Sequence, residues 1–308
     1  MRAVRSEGGS AVVVDAPAPI GEGVRVRVSS AGICGSDLHM LAFNLPVVMG
    51  HEMAGTLDDG TPVAVEPIEP CRECAACRSG DYQLCVNGAT MILGVGRDGG
   101  MAEECFVPAS SIARLPAGLS PSDACLVEPM AVAVHAVRRG RIHPADRVAV
   151  VGGGSIGQTS LVAAQAVGAS VDMEARHDRQ REAAQRLGAG EVSGAYDVVV
   201  DAAGTTSSLA RAVELCRPGG RIVMVGNYWD PVEMPSAVCF REIDLVPASM
   251  YSRVGPSRDF DVATAILAAR PAVADAVITH RYPLDAAPEA FATARDRAAG
   301  AIKVVLEP

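Results

Sequence analysis

Aromatic side chains are scarce in this chain, at 4% of its residues, so Val, Ala, Leu and Ile must fill whatever core it has. Basic charge is also short. The formal net charge of -9 argues against a nucleic-acid partner, because binding a phosphate backbone requires a positive surface. The opening MRAVRSEGGS lacks the apolar run of a secretory signal. One charge-free run, Val148 to Val171, has the length of a membrane span. Gly152, Gly153 and Gly154 interrupt it, and Gln158, Thr159, Ser160 and Gln165 make it polar, so a buried strand, a glycine turn and a helix are expected instead. No membrane partner is expected.

The 308 residues, 49% hydrophobic and 20% charged, suffice for two ordinary domains with a sizeable core. Nine cysteines, an odd number, sit largely in motifs typical of metal ligation. That usage places the chain in a reducing, cytoplasmic setting.

The first third reads as irregular β structure. Val24, Val26 and Val28 alternate with Arg25 and Arg27, the period of a half-buried strand, and Thr61 to Glu66 and Glu103 to Val107 look similar. Ser120-Pro121 with Asp123 reads as a helix start. Pro129 should interrupt that helix, leaving Glu128 at a break before a second helix over Met130 to Arg138.

From Arg147 onward short apolar strands alternate with helices. Strands are expected at Val148–Val151, Val171–Ala175, Asp197–Asp201, Arg221–Val225, Ile243–Val246 and Ala276–Thr279. Helices are expected over Ser155–Val167, Asp178–Leu187, Thr206–Cys216 and Arg258–Ala269. The fold class is therefore α/β, a doubly wound parallel sheet of Rossmann type beside a mostly β domain. The expected domains are 1–130, 131–270 and a return to the first domain over 271–308, where a helix and a strand lie between Asp285 and Leu306.

The strand Val148–Val151 runs into Gly152-Gly153-Gly154-Ser155-Ile156-Gly157, a G-x-G-x-x-G turn that opens a helix. Gly152 allows the tight turn, Gly154 admits a pyrophosphate, and Gly157 lets helix and strand pack closely. The N–H groups around Ser155 and Ile156 would bind the phosphates. An ordinary glycine-rich turn is the plain alternative, but strand, helix and next strand follow in register. The second strand selects the dinucleotide. Ala175 stands where an acidic residue would hold a ribose 2′-hydroxyl, and Arg176, His177 and Arg179 follow at once. NADP is favoured over NAD on that reading. Glu174 takes the ribose role if the strand ends one position earlier.

Cys71, Cys74, Cys77 and Cys85 place four thiols within fifteen residues. Such soft ligands wrap one tetrahedral zinc in a closed, structural site. Disulfides or reactive thiols are the alternatives.

Taken in order, Gly32-Ile-Cys34-Gly-Ser36-Asp37-Leu-His39, Gly50-His51-Glu52, the four-cysteine lobe, Val127-Glu128-Pro129 and the glycine turn resemble the zinc-dependent medium-chain alcohol and polyol dehydrogenases. The similarity runs through to the Lys303-Val-Val-Leu ending. It implies that the first domain is GroES-like and catalytic, and that a second zinc is held there by Cys34, His51 and Glu128. Two zinc ions per chain are then expected, one catalytic and one structural. By the same resemblance Glu52 is a near-zinc carboxylate that binds transiently or fills the fourth position, and Asp37 orients the His51 ring. Ser36 takes the proton of an alcohol and passes it towards His39 through the cofactor ribose, while hydride moves between substrate and nicotinamide. A small alcohol or carbonyl partner and a homodimer or homotetramer complete the expectation. The rival readings are a zinc-independent enone or quinone reductase, and a non-enzymatic scaffold binding zinc and dinucleotide. The chain departs from the pattern by being short, with Cys34 to His51 compressed and a helix and strand missing between Leu187 and Tyr196.

Overall fold

The alternating valines form the first half of a ten-residue strand, Val24–Ile33, whose second half is buried from Ser30 onward. A register shift between Val28 and Ser30 separates the halves, as a bulge does when it re-aims a strand. Along one edge the strand pairs first with Glu104–Val107 and then with Lys303–Glu307; along the other it pairs with Glu52–Leu57. It thus sits within a seven-stranded sheet that also holds Pro62–Val65, Ile112–Arg114 and Ile278–Pro283. Val26, Met53, Val65, Leu93, Phe291 and Val304 lie in its core.

The computed structural model describes residues 1–20 and 23–308. It contains two units, Met1–Glu128 with Ser252–Pro308, and Pro129–Tyr251. The chain returns to the first unit at Ser252, earlier than the expected 271, so the helix Asp259–Ala269 belongs there.

In the second unit five strands form one parallel sheet. Arg147–Val151 lies between Ser170–Glu174 and Tyr196–Asp201, and Cys216–Met224 and Asp244–Pro247 continue beyond the latter. Helices Ser155–Ala166, Asp178–Arg186 and Thr206–Leu215 connect its strands. Ser170–Glu174 is an edge, consistent with the missing helix and strand before Tyr196.

Three expectations fail. Ala276–Thr279 is not a sixth strand of that sheet: Val273, Ala276 and Val277 form the buried stripe of a helix, Ala272–Val277. The following strand, Ile278–Pro283, pairs in the first unit with Lys303–Glu307. No helix starts at Ser120, where the chain turns before a 3₁₀ segment, Ala124–Leu126. Nor does Pro129 break anything. It lies in the first turn of one continuous helix, Val127–Arg139, where a missing N–H costs no hydrogen bond. Among the described residues no helix is long and apolar enough to cross a membrane.

Candidate metal centres and cofactor site

The first unit gathers acid, thiol and imidazole at the end of its long strand. Val24–Ile33 delivers Cys34, which caps the short helix Gly35–Met40. Asp37, fully buried, accepts the Cys34 N–H at 2.8 Å through one carboxylate oxygen. Its other oxygen lies 3.4 Å from His51 Nδ1. The opposite ring nitrogen, His51 Nε2, is 3.4 Å from Ser36 Oγ. Burial opposes a charge on the His51 ring, but the negative charges of Asp37 and Cys34 outweigh it and raise its pKa well above the ordinary value.

The donor atoms of Cys34, His51 and Glu52 lie within 4.8 Å of one another, a thiol, an imidazole and a carboxylate in reach of one ion. Glu128, at the start of its helix, is buried beside them without belonging to that tight group. Burial pushes its carboxyl up to about 7, Glu52 adds to the rise, and the positive charges of His51 and Lys303 oppose it. A carboxyl confined in this way is stabilised by an arriving cation, so the donor set fits zinc. His39 lies on the Ser36 helix, one turn further on, and is exposed.

The sequence reading gave no role to Lys303. Its amine is buried and contacts both oxygens of Glu52, at 2.7 and 2.5 Å. A position near the end of the sequence, 251 residues from the carboxylate it meets, carries no local signal.

The four lobe thiols also lie within 4.8 Å of one another, with sulfur–sulfur distances of 3.4 Å for Cys74–Cys77 and 3.8 Å for Cys71–Cys77. A tetrahedron with Zn–S bonds of about 2.3 Å has edges of about 3.8 Å. None of the four is in a disulfide. Backbone N–H groups of Cys77 and Val86 lower the Cys74 thiol to about 6, whereas burial and the neighbouring thiols push Cys77 up to about 12. Unequal sharing of protons among crowded sulfurs is what a dication removes by binding. The lobe is anchored by the Tyr82 hydroxyl, which donates to buried Glu66, itself paired with Arg258 at 2.8 Å.

In the second unit Gly152 has φ +109°, a conformation that favours glycine, and a Cβ on Gly157 would meet the Gly152 carbonyl oxygen at 1.8 Å. Gly154 faces open space, the approach a pyrophosphate requires. Ser155 opens the helix, followed by Ile156, and its buried hydroxyl has no partner. The adjacent strand ends at Glu174, not Ala175. Ala175 nonetheless faces the turn, its Cβ 2.5 Å from where a Gly153 side chain would begin. The Glu174 carboxylate is instead held by Arg211, whose Nε and Nη2 donate at 2.8–3.1 Å. Arg176 and Arg179 are exposed.

Residues 21–117 match the family of the alcohol dehydrogenase GroES-like domain, and residues 155–269 match that of the zinc-binding dehydrogenases. The L-galactonate-5-dehydrogenase of Escherichia coli K12 is 32% identical across 89% of this chain and 88% of its own. A zinc-binding dehydrogenase from Sinorhizobium meliloti 1021, solved with NADP, is 29% identical with a TM-score of 0.86, covering 100% of this chain and 99% of its own. An alcohol dehydrogenase from Escherichia coli CFT073, solved with NADH, is 27% identical with a TM-score of 0.87 over the same shares of the two chains. The chain belongs to the zinc-dependent medium-chain alcohol and polyol dehydrogenases, oxidoreductases that transfer hydride between a nicotinamide and an alcohol.

Proposed function

We propose that this enzyme interconverts a secondary hydroxyl of a polyol or sugar acid and the corresponding ketone, preferring NADP and holding two zinc ions per chain. The observation that carries the reading is the cluster of Cys34, His51 and Glu52 with Glu128 buried beside it. The substrate class rests on the likeness to L-galactonate-5-dehydrogenase. A zinc-free reductase has no use for such donors, and a scaffold has no use for a hydroxyl at Ser36 beside them.

Cys34, His51 Nε2 and Glu128 hold the catalytic ion, and Cys71, Cys74, Cys77 and Cys85 hold the structural one. Bound zinc supplies a Lewis acid that makes a hydroxyl acidic at neutral pH, and bound nicotinamide supplies the hydride acceptor. Asp37 fixes the His51 ring through Nδ1 and directs Nε2 towards the ion. Ser36 Oγ receives the substrate proton, and exposed His39 on the same helix passes it to solvent. The glycine turn binds the pyrophosphate at the start of the helix Ser155–Ala166.

The preference for NADP is supported by the residues around the adenosine end. Ala175 offers no carboxylate where it faces the turn, and the Glu174 carboxylate is engaged by Arg211. Ala175 itself cannot repel a 2′-phosphate, and Arg176 supplies a guanidinium to meet it. A screen of secondary alcohols, polyols and sugar acids with each cofactor tests the reading. Turnover of a polyol or sugar acid with NADP as the better cofactor supports it; turnover of primary alcohols alone, or equal use of NAD, overturns the part concerned.

A further inference from the structure

The strands of the second unit end level. Glu174, Val151, Asp201 and Met224 pair side by side in one row, so the loops that follow them stand together at one edge of the sheet. Glycines let these loops touch. A Cβ on Gly152 would meet Ala203 Cβ at 3.1 Å, and one on Gly204 would meet the Asn227 carbonyl oxygen at 2.6 Å. A Cβ on Gly226 would in turn meet Gly204 N at 2.6 Å. The glycine turn, the loop after Asp201 and the loop after Met224 therefore form one continuous surface.

Asp201 fastens it. This residue is fully buried, and one carboxylate oxygen accepts the Ala203 and Gly204 N–H groups at 3.0 and 3.1 Å. The other accepts the Ser208 hydroxyl at 3.0 Å and the Tyr228 hydroxyl at 2.7 Å. A carboxylate out of water needs such donors, because an unpaired buried charge is costly. Ala203, Gly204 and Ser208 belong to the turn after Asp201 and the helix that it opens. Tyr228 comes from the next loop. Burial and the Asp201 charge raise the Tyr228 hydroxyl above its ordinary value, which keeps it a donor at neutral pH. Around it the chain runs without helix or strand from Val225 to Ser236, with Tyr228 and Val232 packed against the core.

A dinucleotide lies across such a row of loops, outside the carboxyl ends of the strands. With its pyrophosphate at the turn Gly152–Gly157, its adenosine end points towards Ala175 and Arg176, beyond the strand on one side. The nicotinamide half then extends over the strands on the other side, towards the loops that follow Asp201 and Met224.

We propose that Tyr228 is a positioning residue for the nicotinamide half of the cofactor: by donating to Asp201 it holds the loop 226–236 where that half is seated. The proposal rests on the placement of the cofactor made above. Without the hydroxyl, Asp201 keeps the donors of its own turn and the unit folds. The loop is then seated for a smaller fraction of the time, and apparent affinity falls in proportion.

Calorimetric titration of the full-length enzyme with NADP and with 2′,5′-ADP tests this, since the second ligand carries the adenosine half and no nicotinamide; NAD and ADP serve in the same way if NAD is the cofactor. Loss of one hydrogen bond shifts such an equilibrium by about two- to tenfold. Tyr228→Phe should weaken NADP by that factor and leave 2′,5′-ADP unchanged. Ser208→Ala, which removes a donor from Asp201's own turn, should lower the Tm and keep the wild-type ratio of the two affinities. Trp229, the chain's only tryptophan and 44% exposed, adjoins Tyr228, and its quenching by acrylamide should rise in Tyr228→Phe. Equal weakening of both ligands, an unchanged NADP affinity, or the same change of ratio in Ser208→Ala overturns the proposal. Should Tyr228→Phe fail to fold, amide hydrogen exchange of the wild type decides: NADP should protect residues 226–236 more than 2′,5′-ADP does, and equal protection overturns the proposal. If the wild type binds neither NADP nor NAD, the cofactor placement itself fails, a result distinct from failure of the Tyr228 role alone.

Discussion

Replacing Cys74 by serine should unfold the four-cysteine lobe while leaving the second unit intact. Between Cys71 and Cys85 the described side chains are mostly half-buried or exposed; only Tyr82, Gln83 and Cys85 are buried. Burying Tyr82 is worth about 1.5–3 kcal/mol, whereas a structural zinc contributes about 10–16 kcal/mol. A zinc held by the four thiols would therefore dominate the lobe's stability. Arg72, just after the first ligand, has φ +65°, a left-handed conformation that costs about 1–2 kcal/mol for a residue with a side chain. Once the fourth ligand is lost that strain has nothing to sustain it. Trypsin should then cleave the Cys74→Ser variant after Arg72 and Arg78, both exposed, and mass spectrometry should show fragments absent from wild type. NADP should still bind, since the glycine turn lies in the other unit. A variant as protease-resistant as wild type, with the same zinc content, would refute the structural assignment.

Glu128→Ala should lose the catalytic zinc or lower kcat by about a hundredfold or more, because a metal supplies several kcal/mol of charge stabilisation; unchanged kcat and zinc content would remove Glu128 from the ligand set. Arg176→Ala should raise the KM for NADP by about ten- to a hundredfold, the value of one charge-assisted hydrogen bond, with little change for NAD, and equal losses for both cofactors would count against the pocket. Ala175→Asp should move preference towards NAD, read as the ratio of the two kcat/KM values. In a thiol titration of the zinc-loaded enzyme, exposed Cys239 should react first while Cys105 and Cys125, both pushed up to about 12 by burial, stay silent. A chelator should then release the lobe thiols, Cys74 leading because its pKa is lowered to about 6; lobe thiols that react equally fast before chelation would mean no metal holds them.

The parts of the site legible in the sequence are those whose chemistry is local. Four cysteines at short spacing, or a strand running into G-x-G-x-x-G, declare themselves because turn, ligand and helix start are neighbours in the chain. Glu128 is expected at a break between two helices but lies in the first turn of one, because proline ends a helix in its interior and starts one readily, and the sequence alone does not fix where the helix begins. Ala276 and Val277 failed similarly, since a short apolar run suits a strand as well as a helix until Val273 is counted with it. The strand expected to end at Ala175 ends at Glu174, a difference of one residue that leaves Ala175 facing the turn. Lys303 stands 251 positions from Glu52, and only the pairing of three strands brings them together.

The most direct test of the account measures zinc and hydride transfer in the same sample. The purified enzyme should hold about two zinc ions per chain, one for each donor set. Cys34→Ser should retain one, keep its fold and its NADP binding, and form no reduced cofactor with any substrate the wild type uses. A Cys34→Ser protein that still transfers hydride at the wild-type rate, or a fully active wild type with only the lobe zinc, would contradict it.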